Sequence, residues 1–292
     1  MKRWQLGCNK HPNFEAMNGK PISKPPAKPS FPAKMDLSVG KGAKTHVSSS
    51  VKTLQLVKTI PSVKMVQRAP VVISQGLGLD SSSFRARMVS KLADHGITDA
   101  RVLNAMQATQ RHSFVDSALA NQAYEDTSLP IGWGQTISKP NVVARMIELL
   151  FEGKTGNLGR VLEVGTGCGY QAAVLSHIAH EVYSIERVAG LYEKARENFR
   201  PFRIKNTHLL FGDGMLGFPK GAPYTGIIAA AGGDAIPQAW VDQLAPGGRI
   251  VAPVTNKVAG EQSLVVVDKT EAGLKRTVLE LVQFVPLKSG VV

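Results

Sequence analysis

A glycine-rich turn is the most informative chemical feature of this sequence. The segment Val161–Tyr170 reads Val-Leu-Glu-Val-Gly-Thr-Gly-Cys-Gly-Tyr and links a short apolar run to a helical pattern. Its glycines, Gly165, Gly167 and Gly169, would let a ligand approach the backbone closely. Dinucleotide folds use the spacing G-x-G-x-x-G, whereas this turn has G-x-G-x-G preceded by Glu163. Because a carboxylate favours a cation over a pyrophosphate, the turn predicts a site for a positively charged cofactor.

Two further candidate ligand contacts follow the next two apolar runs. Glu186 closes the second run, where a carboxylate can accept both hydrogen bonds from a ribose diol. Gly212 and Asp213 form a sharp turn after the third run and would face an adenine edge. Taken singly, the first is equally an exposed strand-end charge and the second a common Asp-Gly turn. All three features follow successive strands, and doubly wound sheets bind ligands at the carboxyl ends of their strands.

Apolar periodicity predicts the elements that must position these residues. From Arg160 onward, short apolar runs alternate with segments long enough to cross a sheet as helices, which is typical of a doubly wound, Rossmann-like α/β fold. Two later runs, Leu264–Val267 and Thr277–Val285, are expected to extend one edge antiparallel. The predicted parallel strands are Val161–Val164, Val182–Ile185, His208–Phe211, Gly226–Ala230 and Ile250–Val254.

Helices are predicted before the sheet and after the glycine turn. A first helix begins near Asp80, Asp99 caps a second short one, and Pro140 opens a third. Between the second and third, the polar stretch Gln122–Lys139 is assigned no helix or strand. The helix after the glycine turn is expected to run from Tyr170 to His180.

Basic residues concentrate at the start of the chain. Residues 1–83 carry thirteen Lys or Arg against three acidic residues, a net +10 of the +13 of the whole chain. This segment is rich in Pro, Ser and Lys, so residues 1–80 are predicted to be a disordered tail before one domain, 81–292. A nucleic-acid-binding or membrane-binding arm is the alternative. It is disfavoured because no aromatic residues interleave with the basic ones as a stacking platform.

Composition also predicts the cellular compartment of the protein. No run of eighteen apolar residues occurs, and Leu6-Gly7-Cys8 lacks the hydrophobic stretch that a lipoprotein signal needs. Cys8 and Cys168 are the only cysteines, too few for a disulfide framework or a paired zinc site. These features predict a protein of the reduced cytoplasm that does not enter a membrane.

Several segments resemble known enzyme families. The glutamate and glycine turn is similar to the Glu-x-Gly-x-Gly-x-Gly pattern of class I methyltransferases, whose cofactor is S-adenosyl-L-methionine. Residues Leu129–Pro140, ending in Gln-Thr-Ile-Ser-Lys-Pro, resemble the loop that identifies protein-L-isoaspartate O-methyltransferases. The same family is indicated by Arg111-His-Ser-Phe-Val-Asp, Ile236-Pro-Gln-Ala-Trp, Leu244-Ala-Pro-Gly-Gly-Arg and Phe284-Val-Pro-Leu.

This resemblance implies a reaction and a set of roles. It implies methyl transfer from S-adenosyl-L-methionine to the free carboxylate of L-isoaspartyl residues in damaged proteins and peptides, which begins their repair. Ser138 would be the active-site serine, orienting the carboxylate by a hydrogen bond, and Gln262 a further contact. The implied cofactor-binding residues are Gln135, Thr136, Ile137, Glu163, Gly165, Gly167, Gly169, Glu186, Gly212 and Asp213.

Some residues depart from the family pattern or suggest other chemistry. Thr225 stands where the family usually has an aspartate, which predicts the loss of a carboxylate near the methionine end of the cofactor. Cys168 is interpreted as a packed side chain rather than a nucleophile. His177 and His180 lie three residues apart on the predicted helix but have no accompanying ligands for a metal.

Two other function classes stay open at this point. One is a methyltransferase for RNA or a small molecule, which would share every cofactor feature of the sequence. The other is a non-catalytic protein that binds nucleic acid through its basic arm.

Overall fold

The computed structural model describes residues 81–256 and 258–292. The predicted disordered tail, residues 1–80, lies outside them. No helix in these described ranges is long and apolar enough to cross a membrane.

Helices precede the sheet, as the sequence predicts. They are α1 (Ser81–Asp94), α2 (Ala100–Ala108) and α3 (Pro140–Phe151). The Asp99 side chain accepts a hydrogen bond from the Arg101 backbone N–H and so caps α2. Proline at the first position of α3 needs no hydrogen-bond partner there.

A seven-stranded sheet forms the centre of the described domain. The strands are β3 (Leu158–Val164), β4 (Ala179–Glu186), β5 (Thr207–Phe211), β6 (Tyr224–Ala229), β7 (Leu244–Thr255), β8 (Gln262–Thr270) and β9 (Gly273–Val282). Their order across the sheet is β5-β4-β3-β6-β7-β8-β9, with the first five strands parallel and the last two pairs antiparallel. The predicted doubly wound α/β sheet and its antiparallel extension are therefore confirmed.

Alternate side chains of the central strands enter two apolar cores, one on each face of the sheet. Val161 belongs to the core that holds α3 and α4 (Tyr170–Ser176), while its neighbour Leu162 belongs to the core with Trp240 of α6 (Gln238–Gln243). The helix α5 (Ala189–Phe199) adds Leu191 and Phe199 to the first core. Burial on both faces explains why these strands read as continuous apolar runs.

Two predicted boundaries and one stretch assigned no structure differ most from the observed elements. The helix after the glycine turn ends at Ser176 instead of His180, because Ala179 pairs with Leu158 at the start of β4. His177 therefore caps that helix and exposed His180 lies in a strand, so the two are not neighbours on a helix face. The last strand is Gly273–Val282 rather than 277–285.

The third error concerns the stretch assigned no structure. It contains an antiparallel hairpin of β1 (Leu129–Gly132) and β2 (Gln135–Ile137). Buried Ile131 and Ile137 hold this hairpin against the core, which a mostly polar segment did not reveal.

Candidate active site

A cavity of about 230 Å³ lies at the carboxyl edge of the parallel strands. Gly165, Glu186 and Ala230, which follow or end β3, β4 and β6, form its floor. The strand order reverses here, because β3 pairs with β4 on one side and with β6 on the other. Ligands of doubly wound sheets bind at such a switch point. The β1–β2 hairpin and residues 285–288 complete the wall.

The glycine turn brings bare backbone to this cavity. Gly165 and Gly167 both have positive φ, at 93° and 57°, and both line it. A Cβ on Gly167 would lie 3.2 Å from Ile131 Cδ1 of the hairpin. A side chain here would therefore be strained and would also crowd the hairpin against the floor.

Glu186 ties this turn to the next strand. Its Oε2 accepts a hydrogen bond of 2.8 Å from the Gly167 N–H, and its Oε1 accepts one of 2.9 Å from the Val188 N–H. The residue is only 5% exposed and lines the cavity. Each carboxylate oxygen keeps a second lone pair that can accept from a ligand hydroxyl.

Glu163 lies behind the cavity wall, fully buried. Its Oε2 accepts a hydrogen bond from Ser184 Oγ, which also bonds to Thr166 Oγ1 at 2.6 Å. Burial raises the pKa of Glu163 to about 8, although the Ser184 hydrogen bond opposes this. With that pKa the Glu163 carboxyl group carries a proton at pH 7 in the ligand-free protein, and the role of Glu163 as a carboxylate that attracts a cationic cofactor stays a prediction.

Glu163 Oε1 and Gln171 Nε2 are both buried at this wall, and Gln171 itself lines the cavity. Neither atom has a hydrogen bond of normal geometry to a described residue, but the Gln171 side chain interacts with Glu163 and opposes the rise in its pKa. With the open glycine backbone and the Glu186 lone pairs, the cavity suits a ligand with both an amino-acid and a ribose part, as S-adenosyl-L-methionine has.

Ser138 follows β2 directly and lines the cavity. Its Oγ has no hydrogen-bond partner within the described part of the chain. Its carbonyl oxygen accepts a 2.7 Å hydrogen bond from Arg111 Nη2. Three neighbouring residues predicted to cover the cofactor also line the cavity, namely Gln135, Thr136 and Ile137.

Besides Glu163, three predicted site residues lie near the cavity without lining it. Gly169 has a φ of 94° and begins α4. Gly212 and Asp213 follow β5, and Asp213 is committed to backbone contacts. Its two oxygens accept from the Met215 N–H at 2.9 Å and from the Gly290 N–H at 2.6 Å.

Thr225 does not remove a carboxylate from this cavity. It lies at the start of β6, whereas Ala230, just past the end of the same strand, lines the cavity. Five residues of strand separate the two by roughly 16 Å. The Thr225 hydroxyl instead donates to the Arg160 carbonyl at 3.1 Å.

The hydrogen bonds of Gln262 and the burial of Cys168 indicate structural roles. Both amide atoms of Gln262 bond to the backbone of Phe284, so it holds the segment that leads into the cavity wall. Cys168 is buried, and burial raises its pKa to about 11. Its thiol is therefore protonated at neutral pH, which makes it a poor nucleophile.

Sequence reasoning missed two parts of this cavity. Gln171 follows the glycine turn immediately, but a polar residue in a helical pattern gives no sign that it is buried. Only Val285 of the lining residues Val285–Lys288 was assigned to a strand, and the segment is held near β6 by the Gly232 N–H, which donates to Val285 O at 2.8 Å.

Comparisons with known proteins agree with this arrangement. The family model for protein-L-isoaspartate(D-aspartate) O-methyltransferase matches residues 83–292. A protein-L-isoaspartate O-methyltransferase of Methylibium petroleiphilum is 60% identical over 217 residues, covering 74% of this chain and 81% of that protein. One of Leptothrix cholodnii is 52% identical over 274 residues, covering 92% and 96%.

Solved structures give the same picture. A protein-L-isoaspartate O-methyltransferase is 28% identical with a TM-score of 0.64, covering 71% of this chain and 67% of that one. A Plasmodium falciparum structure described as a protein-L-isoaspartate O-methyltransferase with bound S-adenosyl-L-homocysteine covers 70% and 98%, with a TM-score of 0.61; at 23% identity it shows the fold alone. The match over residues 83–292 and the relatives of 52–60% identity show that this chain belongs to the protein-L-isoaspartate(D-aspartate) O-methyltransferase family.

Proposed function

We propose that the protein transfers a methyl group from S-adenosyl-L-methionine to the free carboxylate of L-isoaspartyl residues in proteins and peptides. The observation that carries the proposal is the single cavity shared by the glycine turn and the unpaired hydroxyl of Ser138, in a chain of this family. When bound, S-adenosyl-L-methionine supplies a methyl group whose bond to sulfur breaks as its bond to the acceptor oxygen forms, leaving a neutral thioether.

The residues of the chain have a modest chemical task. An acceptor carboxylate is already ionised at neutral pH, so no side chain has to remove a proton. Rate then depends on holding the carboxylate in line and excluding water. Ser138, which lines the cavity, would donate a hydrogen bond from Oγ that orients the carboxylate.

Other residues in and around the cavity would hold the cofactor. Glu186 would accept from the ribose hydroxyls, and Gly165 and Gly167 would leave space beside them. Gln171, with Glu163 behind it, would lie at the amino-acid end. Gln135, Thr136 and Ile137 would cover the cofactor, while Gly169, Gly212 and Asp213 shape the turns around it.

Substrate transfer is tested with labelled S-adenosyl-L-methionine and two peptides that differ only in one isoaspartyl or normal aspartyl linkage. We expect label on the isoaspartyl peptide alone. Label on neither peptide, with S-adenosyl-L-homocysteine still bound, would leave a methyltransferase with a different acceptor, such as RNA or a small molecule.

The role of Ser138 is tested by Ser138→Ala. Loss of one oriented donor should lower kcat/KM on the order of 10²-fold while S-adenosyl-L-homocysteine binding persists. Ser90→Ala, on the exposed face of α1, is the matched control and should keep full activity. Full activity of the Ser138→Ala enzyme would remove the serine from the mechanism.

A further inference from the structure

Arg111 is a buried cation that carries no ion pair with a carboxylate in the described ranges. It has no exposed surface, and burial lowers its pKa, although arginine remains charged in proteins. Its Nε donates to the Ala123 carbonyl at 2.8 Å. Burying a charge is costly, and an apolar side chain often fills such a space as well or better. Stability alone is therefore a weak reason for an arginine here.

The contacts of Arg111 converge on the open end of the β1–β2 hairpin. Its Nη2 donates to Ser138 O at 2.7 Å, directly after β2, and lies 3.4 Å from Thr127 O, just before β1. The guanidinium thus bonds both chain ends of the hairpin that roofs the cavity. Ser138 is held by its backbone, which leaves its hydroxyl unpaired at the cavity.

The same guanidinium also contacts Tyr170, a cavity residue outside the hairpin. Its carbon lies 4.7 Å from the centre of the Tyr170 ring, and Tyr170 both begins α4 and lines the cavity. Phe114, three residues after Arg111, packs edge-on against that ring at 5.7 Å. One side chain therefore joins the serine to the helix that follows the glycine turn.

We propose that Arg111 is a positioning residue that fixes Ser138 relative to the cofactor turn during methyl transfer. This inference rests on the proposed function. Lysine cannot replace it, because an ammonium lacks the planar fork that donates to several carbonyls while stacking on a ring. Arg111 acts through Ser138 and does not touch the reacting groups.

A double-mutant cycle in the full-length enzyme tests this role. In the enzyme that keeps Ser138, Arg111→Lys should lower kcat for the isoaspartyl peptide on the order of tenfold, because even a small misplacement of an orienting group slows the reaction. In the Ser138→Ala background the same substitution should change kcat less than about twofold, because interacting residues are not additive. The KM and the affinity for S-adenosyl-L-homocysteine should change less than kcat.

Arg101 provides a matched control. Its Nη1 donates to Lys154 O at 3.3 Å and Gly156 O at 2.6 Å, and its guanidinium lies 4.0 Å from the centre of the Phe151 ring, away from the cavity. Arg101→Lys thus removes a similar pair of carbonyl contacts and a ring contact, together with bonds to the Asp99 carboxylate that Arg111 has no counterpart for, and should leave kcat unchanged in both backgrounds.

Each outcome decides the question. Equal loss from Arg111→Lys in both backgrounds would overturn the proposal, because the residue would then act independently of Ser138. If the lysine variant does not fold, Arg111→Gln, which keeps one donor and removes the buried charge, goes through the same cycle. Failure of both to fold while Arg101→Lys folds would make Arg111 a folding residue only. A wild-type enzyme inactive on the isoaspartyl peptide would instead refute the proposed function.

Discussion

At the scale of single residues, the protonation of Glu163 links folding to pH. Below its ordinary pKa of 4.5 the carboxyl group is protonated in both the folded and the unfolded chain. Between that value and about 8 the folded protein keeps a proton that the unfolded chain has released. The unfolded chain therefore binds fewer protons, so the free energy of unfolding falls as pH rises through this window.

We expect Glu163→Gln to remove this pH dependence. Each unit of pKa shift corresponds to about 1.4 kcal/mol, so the effect is on the order of a few kcal/mol. Between pH 6 and pH 8.5 the Tm of the wild type should fall more than the Tm of the variant. Each kcal/mol lost from the free energy of unfolding lowers Tm by about 2–4 °C. Glu193→Gln, on the exposed surface of α5, should behave as wild type. Parallel curves for wild type and Glu163→Gln would show that Glu163 is ionised at pH 7.

The sequence predicted which residues lie at this site better than their chemical state. The glycine turn and Glu186 line the cavity because each follows or ends a parallel strand, whereas Ser138 was indicated only by the family resemblance. The protonation of Glu163 depends on its burial behind the wall, which the sequence of one strand does not contain. Thr225 was misplaced for a similar reason, since its distance from the cavity depends on which end of β6 it occupies.

At the scale of elements, the glycine turn fixes how α4 leaves β3. Gly169 has a φ of 94°, and a Cβ there would lie 2.7 Å from Phe199 Cε2. Phe199 is buried and packs edge-on with Phe114, so its ring has little room to move. The third glycine therefore serves close packing between α4 and α5 as well as backbone conformation.

Gly169→Ala should destabilise the protein more than Gly96→Ala. Gly96 has a similar φ of 97° but no atom within 4 Å of a Cβ position, so its variant pays only the conformational cost of about 1–2 kcal/mol. Overpacking at Gly169 should add about 1–3 kcal/mol. Urea unfolding of the two variants, provided that their m-values match the wild type, measures the loss in free energy of unfolding for each. Equal losses would mean that Phe199 moves aside without cost.

Element type was more predictable than element ends. Strands β3 to β8 each contain a short, mostly apolar run, and Asp99 and Pro140 mark helix starts through local chemistry. The end of α4 was wrong because pairing with β3 draws Ala179 into the sheet. The β1–β2 hairpin was missed because its few buried residues belong to a core assembled from distant parts of the chain, and local patterning does not record such packing.

At the scale of the whole molecule, charge and catalysis belong to different parts of the chain. The cavity is lined by residues between Ile131 and Lys288, and the family model begins at residue 83. Residues 1–83 hold most of the net positive charge. The Leptothrix cholodnii relative matches 92% of the chain, so the similarity extends into these first residues as well.

We expect a chain of residues 81–292 to keep full methyl transfer to an uncharged isoaspartyl peptide, because every group proposed to act lies inside that range. Any nucleic-acid affinity of the full chain should weaken steeply with salt and vanish on deletion, since phosphate contacts by Lys and Arg release counterions. Assays of kcat/KM and of binding at several salt concentrations, on both chains, separate these two properties. If the shorter chain still unfolds cooperatively but no longer binds S-adenosyl-L-homocysteine, the basic segment contributes to the cofactor site. If nucleic-acid affinity survives the deletion, the binding surface lies on the methyltransferase domain itself.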